Sequence, residues 1–173
     1  MPNTIIGGLA GGSISTGGSH RAVGYQALAN TTTGSGHTAV GHLALASATT
    51  ADYAVGIGWK AGDAVTTAAY FTGVGVDAGG KTTTGSAITA MGYGALHENT
   101  TGASNTAVGY HAGYSITTGT RNTAIGFAAM DAVETHSFSV AVGSYALTAM
   151  TAGGYNVAVG DYAVGSSTTG SSL

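Results

Sequence analysis

One spacing governs this chain. Glycine recurs every 17 residues, at Gly7, Gly24, Gly41, Gly58, Gly75, Gly92, Gly109, Gly126, Gly143 and Gly160, without insertion or deletion. Other positions keep the same register. Three residues after each anchor glycine stands Ala, from Ala10 to Ala163. One residue before it stands an aliphatic residue or Met: Ile6, Val23, Val40, Ile57, Val74, Met91, Val108, Ile125, Val142 and Val159. Two before it stands Ala or Gly in every unit but the first, which has Ile5. Nine after it stands Thr in every unit but one, where Ala152 replaces it, and the next residue is most often Gly.

A unit this short cannot hold the helix pair of the common α-helical arrays, which need about 33 residues or more. Its Gly, Thr and Val content also disfavours helix. A segment such as Asn105-Thr-Ala-Val-Gly-Tyr110 reads as a short strand closed by a turn. The expected fold is therefore all-β: a parallel β-solenoid of ten 17-residue coils. Residues 1–170 form one solenoid domain, followed by a polar tail at 171–173. Stacked at about 4.8 Å per coil, ten coils make a rod roughly 45–50 Å long.

In such a stack every sequence position becomes a column along the rod. The Val column and the Ala column after the anchor are expected to fill a narrow interior between two strand layers. The anchor glycine either takes a backbone shape closed to other residues or permits close approach. The Thr-Thr-Gly segment is expected as an outer turn with positive φ at its Gly. The residues on the opposite strand face from Val, namely Ala, Gly and Asn, are expected to let neighbouring rods approach. The first coil and the segment from Ser166 to Leu173 depart from the repeat as terminal units do, and that last segment is expected to be flexible.

Composition narrows the function. Only 6% of the 173 residues are charged, against about 25% in ordinary domains. So few charges imply that much of the surface is covered by further copies of the chain or by a larger assembly. The net charge of −3 comes with no basic stripe to neutralise phosphates, so no nucleic-acid partner is expected. No apolar run reaches the length that spans a bilayer. The first residues have neither the basic start nor the apolar stretch of a secretory signal. With no cysteine, disulfides and thiolate metal sites are excluded.

Few constellations carry chemistry. The residue after the anchor is repeatedly aromatic: Tyr25, His42, Trp59, Tyr93, Tyr110 and Phe127, interrupted by Val76, Ser144 and Asp161. This column is the candidate surface-recognition site; the competing reading is a ladder packed along the rod or in a contact between rods. His20 and His37 share a register position in adjacent coils. They either bind a metal around an oligomer axis or replace the Asn found there at Asn3, Asn105, Asn122 and Asn156; the second reading is preferred, and no metal or other cofactor is expected. The segments from Gly56 to Gly62 and Gly73 to Gly79 imitate a dinucleotide loop, but no strand-loop-helix unit surrounds them. Asp52, Asp63, Asp77, Asp131 and Asp161 share no fixed position, unlike the Asp of calcium-binding nonapeptide repeats. No matched nucleophile, base and orienting acid is present, and the ungapped register leaves no inserted loop to hold them. No enzyme is expected. A hexapeptide acyltransferase solenoid would show a six-residue period and a protruding loop, and neither is here. Adjacent Thr pairs, from Thr32-Thr33 to Thr117-Thr118, raise ice binding as a lesser alternative; neighbours in a strand point to opposite faces, so one column at most faces outward.

The units Asn105-Thr-Ala-Val-Gly-Tyr110, Asn122-Thr-Ala-Ile-Gly-Phe127 and Arg21-Ala-Val-Gly-Tyr-Gln-Ala-Leu28 resemble the head repeat of YadA-type trimeric autotransporter adhesins, a repeat also found in bacteriophage tail and fibre proteins. The resemblance runs through all ten coils. It implies a left-handed parallel β-roll assembled as a parallel homotrimer, and a surface that sticks to something. The chain shows no signal, heptad stalk or membrane anchor of the adhesin pattern. The expected function is therefore that of a structural or adhesive bacteriophage virion protein, a capsid decoration protein or a short fibre or spike module. Its expected partners are its own copies, other virion proteins, and a host-surface receptor or glycan; its expected location is the virion, assembled in the host cytoplasm. The alternative is the head fragment of a bacterial adhesin, located at the cell surface.

Overall fold

The computed structural model describes residues 2–148, 150 and 153–164. The exceptional Ala152, the last Thr and Gly of the repeat (Thr169, Gly170) and the polar tail lie outside the described residues. Each coil contributes one short strand ending on the residue before its anchor glycine. These are β1 (Thr4–Ile6), β2 (Arg21–Val23), β3 (Thr38–Val40), β4 (Val55–Ile57), β5 (Phe71–Val74), β6 (Ile88–Met91), β7 (Thr106–Val108), β8 (Thr123–Ile125), β9 (Val140–Val142) and β10 (Val157–Val159). They form a single ten-stranded parallel sheet in sequence order. Every pairing has the register of the repeat, as in Ala22↔Ala39 and Ala107↔Ala124. The chain is thus an all-β parallel solenoid with one 17-residue coil per strand.

Only one wall of the coil is a strand layer, not two. The other wall is a run of turns whose amides bond from coil to coil, as in Leu28 N–H to the Ala44 carbonyl at 3.1 Å and Leu45 N–H to Ala61 at 3.0 Å. Backbone twist makes this possible. The residues two and four after the anchor in each described coil, and five before it from Ser19 onward, have positive φ. Most are not glycine: Gln26, Leu28, Leu45, Tyr53 and Met130 are examples. A left-handed L-residue costs about 1–2 kcal/mol, so these corners persist because each is hydrogen-bonded and packed against the same corner of the next coil. The anchor glycine is required twice over. Its φ lies between 128° and 138° along the rod, and a Cβ at Gly24 would sit 2.5 Å from the Gly41 carbonyl oxygen. The Gly of the Thr-Thr-Gly segment behaves differently from expectation. Gly17, Gly34, Gly85, Gly102 and Gly119 are absent from the positive-φ set, but a Cβ at each would strike the carbonyl at the equivalent position of the next coil. Close approach favours glycine in those coils, whereas Gly153 of the same column has φ +108°, and Ala51, Ala68 and His136 stand there in other coils.

Strand parity corrects the main expectation about sidedness. The Ala column after the anchor is interior: Ala27, Ala44, Ala61, Ala78, Ala95 and Ala112 are fully buried. The Val column is not. Val23, Val40, Ile57, Met91 and Ile125 are exposed on the outer face of the sheet. The residues two before the anchor (Ala22, Ala39, Ala90, Ala107, Ala124 and Ala141) point inward instead, as do Asn105 and Asn122 four before it. The Ala, Gly and Asn positions therefore cannot form the contact between rods. The reason is width: two residues before the anchor the interior admits only a methyl group or nothing after the first coil, so the larger aliphatic side chain next to it takes the outward parity, while Phe71 and Ile88 fill a wider part of the interior four residues before the anchor.

The rest of the core lies further round the coil, in Leu28, Leu45, Leu96, Met130 and Leu147, and in Val65, Ile116 and Val133. Its volume is balanced between coils. Phe71 is the largest fully buried side chain. It is surrounded by Gly62, Gly73 and Gly79, where an added Cβ would come within 2.7 Å of its ring. At the register of Gly62 and Gly79 several other coils have Leu or Met (Leu28, Leu45, Leu96, Met130, Leu147), and at that of Gly73 most have Ala, so here one ring takes the space of several smaller groups.

Candidate functional site

Two ladders arise from the repeat, one inside and one outside. The inner ladder stands four residues before the anchor. Asn105 Oδ1 accepts the Asn122 N–H at 2.9 Å, and Asn122 Oδ1 accepts the Ser139 N–H at 3.1 Å. Their Nδ2 groups donate to the carbonyls of Gly119 (2.6 Å) and His136 (2.7 Å). Each Asn thus stitches two points of the following coil. His20 and His37 do the same with an imidazole. Nδ1 of His20 accepts the His37 N–H at 3.4 Å, and Nδ1 of His37 accepts the Ala54 N–H at 3.2 Å. The rings stack at 5.1 Å and are buried inside the coil, so they cannot surround an axis between rods. An Nδ1 that accepts an amide is unprotonated, so Nε2 carries the hydrogen. Each Nε2 is buried without a well-aligned partner, the Nε2 of His20 near the Gly34 carbonyl and that of His37 near the Ala51 carbonyl. Burial holds the His20 imidazole below its ordinary pKa. Burial, helped by the neighbouring His20 and opposed by Asp52, lowers His37 to about 4.

The outer ladder is the candidate recognition column. Tyr25, His42 and Trp59 stack at 5.5 and 6.5 Å; Tyr93, Tyr110 and Phe127 stack at 5.2 and 5.1 Å. All planes within each group lie within 10° of parallel. The structure therefore brings the six residues into one column, in two groups of three divided by Val76. Inside each group the rings cover one another's faces, and their exposed parts are edges. An edge array suits packing against an apolar surface better than stacking a ligand.

Together, the Val column and this ladder make an apolar stripe along most of the rod, bordered on the outer sheet face by a column that is mostly Thr (Thr38, Thr72, Thr89, Thr106 and Thr123) and includes Arg21. The Thr pairs lie in bends between the strands and divide into one hydrogen-bonded column and one exposed column. The hydroxyls of Thr32, Thr49, Thr66, Thr83, Thr100 and Thr117 each donate to the carbonyl 17 residues on, at 3.0–3.2 Å. Only the second column, Thr33 to Thr118, is exposed.

Sequence reasoning overlooked two surface features. Five residues before the anchor, Tyr53 and Tyr70 stack at 5.9 Å, and Arg121, Phe138 and Tyr155 form a second stack. The register itself could have revealed this column, but Gly36, Ala87 and Ser104 interrupt it. The second is a polar corner in the middle of the rod. Lys81 Nζ lies 2.7 Å from Glu98, whose other oxygen lies 2.9 Å from His97 Nδ1. These contacts hold Glu98 below the usual carboxylate range and Lys81 above its own. Burial raises the nearby Asp63 carboxyl, with Lys60 opposing. Among the described residues no group of three or more His, Asp or Glu side chains is arranged to hold a metal ion. Comparison with family models, curated proteins and solved structures finds no match to this chain, so what it resembles rests on its motifs and its fold.

Proposed function

We propose that the chain is a rigid, non-catalytic rod that works by packing side by side with its own copies. The single observation that supports this is the outward aliphatic column, continuous with the aromatic ladder, a face whose charges, Arg21 and Asp161, stand near its two ends. That face is about 14 Å wide, four residue steps of about 3.4 Å, and about 43 Å long, nine rises of about 4.8 Å. Its projected area, near 600 Å², approaches the roughly 800 Å² per partner of a stable interface. Isolated in water, such a face is at the upper end of the apolar patches that monomers carry, about 300–600 Å². The Asn-Thr-Ala-Val-Gly-Tyr motif supports a homotrimer, and a place in a bacteriophage virion as a capsid decoration, short fibre or spike module. The same motif supports the second reading, a bacterial adhesin head. In both, hydrogen-bonded coils supply stiffness, and sides or ends dock other virion proteins or a host surface.

Light scattering tests the assembly. The expected mass is three times the 16.7 kDa of one chain. Val40→Lys with Ile57→Lys should give a monomer whose circular dichroism is unchanged, because both side chains point away from the core. A wild-type chain that stays monomeric at micromolar concentration refutes the proposal. Neighbouring genes separate the two settings: capsid or tail genes favour the virion, secretion genes the adhesin.

A further inference from the structure

Ten copies of one unit act as their own control. Sizes that compensate from coil to coil, at positions that do not touch, answer to something besides the fold. The two borders of the outer sheet face show such compensation. One border is the aromatic ladder, on the residue after the anchor, where the coil leaves its strand. The other stands five residues before the anchor, where the coil enters it. There Tyr53, Tyr70, Phe138 and Tyr155 are exposed rings, and Arg121 lies over Phe138.

From the second coil on, a large residue on one border goes with a small one on the other in all coils but two. Tyr70, Phe138 and Tyr155 share their coils with Val76, Ser144 and Asp161 on the ladder side. His42, Tyr93 and Tyr110 share theirs with Gly36, Ala87 and Ser104, and the second coil follows with Tyr25 and Ser19. The fourth coil (Tyr53 and Trp59) and the eighth (Arg121 and Phe127) are large on both. Within one chain the borders are held apart. Strand β5, between Tyr70 and Val76, has four residues and so spans about 10 Å, three steps of about 3.3 Å. The compensation therefore fills no space inside the chain.

It fills space between copies of one arrangement only. Rods related by an axis along their length close into a ring without any shift along that axis. Each coil then faces the same coil of the next copy, and the ladder border of one copy meets the opposite border of the other. Ring meets small residue, and the bulk of the contact stays nearly even along the rod, as close packing requires. An antiparallel pair sets like border against like. Centred on the fifth coil, it would put Trp59 on Tyr93 and His42 on Tyr110, ring on ring, and Val76 on its own copy.

We propose that copies of the chain pack as parallel, unshifted rods, the border from Tyr25 to Phe127 of each seated against the border from Tyr53 to Tyr155 of the next. This rests on the side-by-side packing above, adds to it a direction, a register and a second border, and holds for two copies as for three.

The chain has no cysteine, so single introduced thiols report the contact. Tyr70→Cys and Val76→Cys, both at exposed positions, are produced separately and also co-expressed. The assembled proteins are treated with a bis-maleimide shorter than the face is wide, about 14 Å. The co-expressed pair should give a covalent dimer on a denaturing gel, and neither variant alone should. Ser104→Cys with Tyr110→Cys should behave alike at the seventh coil, and decides the matter if a fifth-coil variant does not assemble. A dimer from Val76→Cys alone, as an antiparallel pair gives, overturns the proposal; so does a co-expressed pair that assembles without cross-linking. A second measurement needs no thiol. Ala87→Tyr sets a ring against Tyr93 of the next copy, on a backbone that already carries Tyr53 and Tyr70 at the same left-handed register. It should reduce the assembly to monomer with unchanged circular dichroism, and adding Tyr93→Ala should restore the assembled mass. An assembly unaffected by Ala87→Tyr, or not restored in the double variant, overturns the proposal as well. Light scattering of the wild type separates the two readings: a monomer removes both, whereas an assembled mass with the wrong cross-links removes only the register.

Discussion

Acid should loosen this rod through His37, and the amount follows from its place in the inner ladder. The neutral ring accepts the Ala54 amide at 3.2 Å; protonation sets a donor against that donor inside a buried column. In the unfolded chain the imidazole titrates near 6.5, and in the folded chain near 4. Between those values the unfolded state binds more protons, so stability rises with pH and falls on acidification. The loss is nearly absent at pH 7.5, begins as pH drops through 6.5, and is complete below 4. At pH 4.5 the two pKa values give a loss of at most about 2.5 kcal/mol from His37, and the lowered His20 adds to it in the same sense. Against a typical stability of about 5–15 kcal/mol that is readily measured. The control is His37→Asn with His20→Asn, because Asn at this position accepts and donates the same bonds in Asn105 and Asn122. Urea unfolding followed by circular dichroism is measured for both proteins at pH 7.5 and 4.5. The raised carboxyls of Asp63 and Asp131 titrate in the opposite sense but equally in both proteins, so they cancel in the difference. The Asn variant should lose less stability on acidification by about 2 kcal/mol or more. Equal losses in the two proteins would refute the argument.

Three further outcomes follow from the packing. Phe71→Ala should cost about 3–5 kcal/mol in urea unfolding, because its glycine neighbours cannot fill the void; adding Gly79→Leu should recover part of the loss, since Leu28, Leu45 and Leu96 adopt the same left-handed backbone at that register. Gly41→Ala should destabilise by more than about 2 kcal/mol by thermal melt, since φ is +133° and the new Cβ meets the Gly58 carbonyl. Ala112→Trp should prevent folding, seen as loss of the strand signal, because the site is fully buried and its column holds nothing larger than a methyl group.

The period, the one-coil stacking and the fate of the anchor glycine were legible in the sequence because every coil repeats them. The side of the strand facing in was not. A small residue and a larger aliphatic one stand side by side at the end of each strand after the first, and hydrophobicity alone puts the larger one inside. The better signal was uniformity of size: Gly56 and Gly73 alternate with Ala22 and Ala39 but never with anything larger after the first coil, which marks a space without room to vary. The outer ladder was legible as a column because Tyr25 through Phe127 share a register. The break at Val76 was legible in the same register; that the rings meet face to face depends on side-chain direction, which register does not encode. The His20 and His37 column could be read as an Asn substitute only because Asn105 and Asn122 occupy the same position.

The glycines around Phe71 have a further consequence for how the chain finds its fold. Ten nearly identical coils offer many near-equivalent stackings, and looping one coil out would sacrifice few backbone bonds. If the fourth coil were skipped, Phe71 would meet Leu45 where it now meets Gly62, two large side chains in a space that holds one. The irregular interior thus works as an address: it tells each coil which neighbour is its own, in a molecule whose backbone could not.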